Sequence, residues 1–262
     1  MQNDFDIASI SYDETFTNTS IGKAQRMQVY SQLNAVIHQK KRLHILELNC
    51  GTGEDANYFI KLKHTITATD ISSKMVAVAK DKFKNKDINF YQLDINQLHQ
   101  QTFTNNFDLI FSNFGGFNCL SKNEIATFFL SANKILNTEG KIALVIMPKH
   151  TIWEKIYFFL KGDFKKANRR NTNHSIEANV DGTAVKTWYF NPKEMVEIAK
   201  EFSVKKIKPV GFFVPPSYLQ SSLLGNKTVV LFLSFLDRLF PFSFLAKYAD
   251  HYYIELQKNT DK

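Results

Sequence analysis

The sequence predicts an α/β fold with a mostly parallel sheet and helices on both of its faces. Three observations carry that expectation. Short apolar or β-branched runs alternate with helical stretches between residues 43 and 148, which is the rhythm of parallel strands joined by crossover helices. The first run ends in a glycine turn, Asn49-Cys50-Gly51-Thr52-Gly53. Peptide N–H groups can approach a ligand there because no Cβ intrudes at the glycines. Asp70 and Asp94 close the second and third runs, on the carboxyl edge where open α/β sheets hold their ligands.

Taken in order, residues 20–40 read as a helix, with Met27, Tyr30, Leu33, Val36 and Ile37 at helical spacing. Residues 43–48 form the first strand and 56–62 a helix. The β-branched run 65–69 is the second strand, followed by a helix over 72–83 with Ser72 or Ser73 available as N-cap. Strands follow at 88–93 and 107–112. A helix over 122–136 halts near Gly140, and 141–147 is a buried strand closed by Pro148. From about residue 149 the alternation breaks. A helix at 153–161 precedes an expected hairpin, 175–180 and 184–190, turning at Asp181-Gly182. Asn191-Pro192 opens a helix in which Glu194 can reach back to the cap. A strand at 204–209, an irregular helical region over 216–247 and an alternating strand at 250–257 complete the chain.

Composition bounds the function. The chain has 262 residues, 44% of them hydrophobic, including 24 phenylalanines. That is enough for a substantial core and excludes a disordered protein. The formal charge is +8, with the densest patch at Lys161, Lys165, Lys166, Arg169 and Arg170, either a solvated face or a docking surface for an acidic partner. Cys50 and Cys119 are too few for a disulfide scaffold and lack zinc-ligand spacing, so no metal is expected and reduced thiols in a cytoplasmic protein are. Asp4 and Asp6 in an N-terminus without an apolar run are not those of a signal peptide. The apolar stretch 229–246 is interrupted by Asp237, Arg238 and Pro241. It reads as a bent amphipathic element, not a membrane span, and leaves peripheral membrane contact open.

The glycine turn is neither a P-loop nor a complete dinucleotide fingerprint, since Asn49 and Asn57 stand where glycines would fall. Asp70, 17 residues beyond Gly53, can accept from both hydroxyls of a ribose, and Asp94 from an adenine amino group. Each aspartate alone would more often be a helix cap or a surface residue. Three such features at the ends of three successive strands point to one nucleoside site.

With these residues together, the sequence resembles the class I S-adenosylmethionine-dependent methyltransferases, of small-molecule type. ILELNCGTGEDANYF looks like their first motif and TATDISSKMVAVAKDKF like their second. NFYQLDINQL, FDLIFSNFGGFN and ILNTEGKIALVIMP look like the blocks that follow. The resemblance covers residues 43–148 and a leader around Tyr12–Arg26. It implies a Rossmann-like, mostly parallel seven-stranded sheet with a substrate-side insertion or lid, and S-adenosylmethionine as cofactor. By position it implies that Glu47, Asn49, Gly51 and Gly53 surround the methionine part. Asp70 would hold the ribose, Ile71 and Met75 would pack near the adenine, and Asp94 and Ile95 would meet its edge. Asn113 and Phe114 would flank the sulfonium. The family usually has glycine where Asn49 stands; Asn tolerates the left-handed backbone better than most residues. In the leader, Tyr12 would cover the sulfonium by cation–π attraction and Arg26 would pair with the methionine carboxylate, or both merely tether this helix.

The expected organisation is a leader and cofactor cover over 1–42 and a cofactor-binding core over 43–148. An insertion over 149–190 would serve as substrate lid, and 191–262 would complete the core. Methyl transfer is an in-line displacement that obliges few residues. His150, beyond the fifth strand, is the expected base if one is needed, with His174 and His251 as weaker candidates. Ser112-Asn113-Phe114-Gly115 lacks the Asn-Pro-Pro-Tyr pattern of enzymes acting on nucleobase amino groups. The aromatic C-terminal third suggests an apolar or phenolic small molecule, O- or C-methylated, either free or borne on an acidic carrier protein; nucleic acid is not the expected partner. An RNA methyltransferase, a non-catalytic cofactor-binding subunit and a nicotinamide dehydrogenase remain as alternatives.

Overall fold

The computed structural model describes residues 2–180 and 183–259. The first half runs α1 (Gln2–Ala8), a π-helical turn (Asp13–Thr17), α2 (Ser20–Ile37), β1 (His44–Leu48), α3 (Glu54–Lys61), β2 (Thr65–Asp70), α4 (Ser73–Lys82), β3 (Ile88–Gln92), β4 (Phe107–Ser112), α5 (Lys122–Ile135) and β5 (Leu136–Ile146). The second runs α6 (Ile152–Leu160), α7 (Phe164–Ala167), β6 (Ile176–Val180), β7 (Thr183–Thr187), α8 (Pro192–Ile198), β8 (Phe202–Val210), α9 (Lys227–Leu239) and β9 (His251–Lys258).

Seven strands form one sheet in the order β3-β2-β1-β4-β5-β9-β8. β1 to β5 pair in parallel, while β9 is antiparallel to both β5 and β8. Alternate residues of a strand enter opposite cores, as a period of two requires. Leu46, Leu48, Ile110 and Tyr252 join Phe128 of α5 and Met195 of α8. Ile45, Leu109, Phe111 and Tyr253 join Leu33 of α2 and Phe59 of α3. Both faces are therefore covered, which is why the parallel strands read as nearly continuous apolar runs.

Two of the differences from the sequence reading bear on the fold. Strand β5 begins at Leu136, where a helix was expected to continue towards Gly140. Leu136 pairs with Phe107 and is buried, and the register shifts before Leu109. A Cβ on Gly140 would lie 2.8 Å from the Leu136 side chain, so the glycine lets the strand bulge there. The region 216–247 holds one α-helix, α9, flanked by short 3-10 turns at Ser217–Leu219, Leu223–Gly225 and Ser243–Leu245. Asp237, which interrupts the apolar run, accepts from the backbone N–H groups of Phe212, Phe213 and Val214 and from Gln28 Nε2. It thereby ties α9 to the loop after β8. Among the described residues no helix is long and apolar enough to cross a membrane.

Between β5 and α8 the chain leaves the main sheet for α6, α7 and the antiparallel β6–β7 ribbon. The expected turn at Asp181-Gly182 lies outside the described residues. The amino-terminal leader returns to the carboxyl edge of the sheet. α1 lies against α4 and β7. Ser72 Oγ donates to Asp6 Oδ1 at 2.5 Å and Thr52 Oγ1 to Asp13 Oδ1 at 2.6 Å. Lys82 bridges Asp13 and Glu54. Thr19 caps α2 by accepting from Gly22 N at 3.0 Å. An added Cβ at Gly22 would stand 2.1 Å from the carbonyl oxygen of Phe16. Gly22→Ala is expected to destabilise the protein by about 1–3 kcal/mol, because backbone must move to admit the methyl group. A urea unfolding midpoint equal to that of the unsubstituted chain would show that this turn yields freely.

Candidate cofactor and acceptor site

The turn after β1 is built from left-handed residues. Asn49 has φ 56°, Gly51 52° and Gly53 83°. Asn49 donates through Nδ2 to Ser112 Oγ at 3.0 Å, linking the ends of two adjacent strands. Gly53 serves packing: a Cβ there would be 2.9 Å from Phe90 Cζ and 3.2 Å from Ala79 Cβ. The turn also fixes the carboxylate at the end of β2. Gly51 N donates to Asp70 Oδ2 and Ser72 N to Asp70 Oδ1, each at 2.9 Å. Burial raises the Asp70 carboxyl above its ordinary range, and the N–H groups of Ser72, Gly51 and Ile71 limit the rise. At the end of β3, Asp94 caps a 3-10 turn by accepting from Asn96 N at 2.9 Å. The capping and the ligand-facing readings of Asp94 are compatible. After β4, Phe114 is also left-handed, at φ 46°. A bulky residue there stores strain of about 1 kcal/mol or more.

These pieces surround one cavity of about 700 Å³, its open mouth included. Asp70, Ile71 and Met75 form one wall and Asp94 with Ile95 another. Asn49 and Gly51 line it at the turn, and Tyr12, Asn113 and Phe114 complete the lining predicted from the sequence. Burial pushes the Tyr12 phenol up to about 12, with Arg26 opposing. Sequence reasoning missed four further lining residues, Phe5, Gly116, Cys119 and Leu120. Phe5 comes from α1, and no local motif says where a seven-residue amino-terminal helix will dock.

Glu47, Gly53 and Arg26 do not line this cavity. Arg26 belongs to a smaller pocket that shares Tyr12, Asn49, Gly51, Asn113 and Phe114 with it. The centre of that pocket is Asp55, another residue the sequence reading passed over. Its carboxylate pairs with Arg26 Nη1 at 2.6 Å and accepts from Tyr30 OH at 2.6 Å and Asn113 Nδ2 at 3.1 Å. Its position in the first turn after the glycine loop was the available signal. The Arg26 guanidinium also lies 5.0 Å from the Phe114 ring centroid. Two buried atoms here have no hydrogen-bond partner, Arg26 Nε and Glu47 Oε2. Burial, then Asp55 and Asp70, push the Glu47 carboxyl well up, against the pull of Arg26. One orphaned donor and one orphaned acid beneath an apolar cavity with two carboxylates suit a nucleoside that carries a zwitterionic amino-acid tail.

His150 is half-buried beyond β5 and is absent from the cavity lining. Burial, then Lys155, Lys247 and Lys149, lower its pKa. His174 is exposed. His251, the first residue of antiparallel β9, reaches the ligand edge of the sheet. Its ring meets Phe114 edge-on at 5.7 Å between centroids. Its Nδ1 is 3.2 Å from Asp250 Oδ2, without hydrogen-bond alignment. Burial would raise the Asp250 carboxyl, but His251, Arg170 and Gln25 hold it below its ordinary value. The basic patch is smaller than its sequence suggests. Arg169 and Arg170 both turn onto the buried Glu154, and Arg170 is itself buried over Tyr189. Lys161, Lys165 and Lys166 remain exposed.

Residues 45–140 match the model of a family described as a methyltransferase domain. The chain is 28% identical over 236 residues to the non-reducing polyketide synthase trt4 of Aspergillus terreus, covering 83% of this chain and 10% of that protein. It is 33% identical over 115 residues to a malonyl-[acyl-carrier protein] O-methyltransferase of Bacillus anthracis, covering 43% of this chain and 40% of that one. The chain thus spans well under half the length of these relatives. Among solved structures, magnesium protoporphyrin IX methyltransferase of Synechocystis PCC 6803 with bound SAH superposes with a TM-score of 0.58 at 13% identity, over 92% of this chain and 86% of the other. That likeness is one of fold.

Proposed function

We propose that the chain, whose residues 45–140 match a methyltransferase domain, is a class I S-adenosylmethionine-dependent methyltransferase that moves the donor's methyl group onto an acidic oxygen or carbon of a small apolar or aromatic acceptor. The observation that carries this reading is the convergence of Asp70, Asp94 and the left-handed Asn49–Gly53 turn on one cavity bounded by Tyr12 and Phe114.

When bound, the cofactor supplies an activated methyl group on a sulfonium with a good leaving group. The chain's residues bind, orient and exclude water. Asp70 has lone pairs beyond those used by Gly51 and Ser72, and these accept the two ribose hydroxyls. Ile71 and Met75 pack the adenine, and Asp94 with Ile95 takes its polar edge. Glu47 and Arg26 hold the ammonium and carboxylate of the amino-acid end, with Asn49, Gly51 and Gly53 shaping the turn that admits it. The π faces of Tyr12 and Phe114, with Asn113 beside them, favour the cationic centre. The strapped leader keeps water from the reacting atoms. His251, against Phe114 and beside Asp250, takes the acceptor's proton; His150 is the alternative base. Relatives named for polyketide synthesis and for O-methylation of malonyl groups on a carrier protein support a small acidic acceptor, free or carrier-borne. Diversion of Arg169 and Arg170 onto Glu154 leaves only lysines to steer an acidic carrier.

Calorimetry with S-adenosylhomocysteine, NAD and NADP tests the reading, with heat expected for the first alone. Glu47 adds a signature. Its pKa is raised in the free protein, so it keeps a proton that an arriving ammonium displaces. Affinity therefore rises with pH up to that raised pKa and then levels. Proton release, read from buffers of different ionisation enthalpy, should vanish in Glu47→Gln. Binding of NAD in place of S-adenosylhomocysteine would overturn the assignment.

A further inference from the structure

We propose that the face built from α9, the 242–245 turn and α6–α7 docks onto an anionic lipid bilayer. The argument is independent of the methyl-transfer reading.

α9 is apolar on two sides. Val230 and Leu233 pack against Ile21, Ala24 and Val214, which satisfies one side. The other presents Leu231, Phe232, Phe235 and Leu239, each more than half exposed. The chain continues this face with Phe242 and Phe244, stacked at 5.7 Å and exposed. Phe159, Leu160 and Phe164 are also exposed on α6 and α7. The two regions are tied to the same loop after β8. Trp153 of α6 donates to Phe212 O at 2.9 Å, and Phe213 contacts Phe240 at the end of α9. An exposed apolar patch this extended marks an interaction surface.

Charge selects the occupant. Lys227, Arg238 and Lys247 border α9 and its following turn, and Lys161, Lys165 and Lys166 border the other apolar group; all six are exposed. Lys161 lies over Tyr157 at 4.4 Å and Lys247 over Tyr248 at 4.8 Å. In both contacts it is the ammonium nitrogen that lies over the ring, and Lys161 Nζ also donates to Tyr157 OH at 2.6 Å, so cation and aromatic sit together at the surface. The acids of these segments offset only Lys166 among the six. Glu154 and Asp237 are buried, and Asp163 is held by Lys166 at 3.0 Å. Leu160 is 79% exposed and Phe244, stacked on Phe242, 67%, so both present apolar surface suited to a fluid acyl layer. A second copy of the chain would bring like charge to the same face. Headgroup phosphates and acyl chains answer both the lysines and the aromatics. At 13 residues α9 lies on such a surface and does not cross it. Asp237 fastens α9 to the loop after β8, and Asp250 N donates to Gly211 O in that loop. The docked face is therefore tied, through that loop, to the start of β9.

The full chain should sediment with phosphatidylcholine vesicles containing about 30% phosphatidylserine, and much less with phosphatidylcholine alone. Binding should weaken as salt rises from about 0.1 to 0.5 M. The double variant Phe232→Ser, Phe235→Ser should lose at least roughly tenfold in vesicle affinity, while its circular dichroism and S-adenosylhomocysteine binding stay unchanged. Lys227→Gln, Arg238→Gln and Lys247→Gln together should remove the preference for phosphatidylserine. The proposal is overturned if neither vesicle binds the chain, or if the serine variant binds as well as the parent. It is equally overturned if the parent is a dimer in sedimentation velocity that the serine variant dissociates, since a second copy then owns this face.

Discussion

Asp70→Ala is expected to weaken S-adenosylhomocysteine binding by roughly 10- to 100-fold, with the fold retained. The lost groups are charge-assisted acceptors, worth about 1.5–3 kcal/mol. The removal acts twice. It deletes the proposed ribose contact and also strips Gly51 N and Ser72 N of their shared acceptor, so the turn loses the group that orders it. Asp70→Asn keeps the shape and one acceptor oxygen but sets an amide N–H₂ against one of those two backbone donors. Its loss should fall between the parent and alanine. Calorimetric affinities for the three proteins decide the matter. Equal affinity in the alanine variant would mean that Asp70 only braces the turn.

His251→Ala is expected to lower turnover by about 10²- to 10⁴-fold, the range of a removed general base, with S-adenosylhomocysteine affinity little changed. The assay is S-adenosylhomocysteine formation with malonyl thioesters and phenolic acids as acceptors. Asp250 acts through His251, so Asp250→Asn should give a smaller fall together with a displaced pH–rate profile. His150→Ala is the control. Burial and the neighbouring lysines disfavour its charged form. A full rate in His251→Ala with a collapsed rate in His150→Ala would move the base to the loop after β5.

The legible parts of the site were those specified locally. Asn49, Gly51, Asp70, Ile71, Met75, Asp94 and Ile95 each sit within a few residues of a strand end, so the strand pattern places them on one edge without any long-range information. Asn113 and Phe114 follow β4 by the same logic. What escaped depends on distant pairing. Phe5 reaches the cavity because α1 docks against α4 and β7. His251, only a weaker base candidate in the sequence, meets the cavity-lining Phe114 because β9 runs antiparallel, which puts its first residue where the parallel strands put their last. Asp55 was visible as an acid in a first helical turn, but its partners Arg26, Tyr30 and Asn113 come from three other segments. The basic patch shows the opposite failure. Its five charges are near in sequence, yet Glu154 draws two of them inward.

By itself the sequence determined the alternation of strands and helices, the parallel sheet they build, and the carboxyl edge carrying a tight turn and two aspartates. Those follow from side-chain period, β-branching and the freedom of glycine and asparagine at positive φ, which act over a few residues. Only the tertiary structure decided which charges pair, which histidine meets the cavity wall and which apolar face of α9 stays outside. Burial and through-space contact belong to residues far apart in the chain, and their energies depend on neighbours that no local pattern contains.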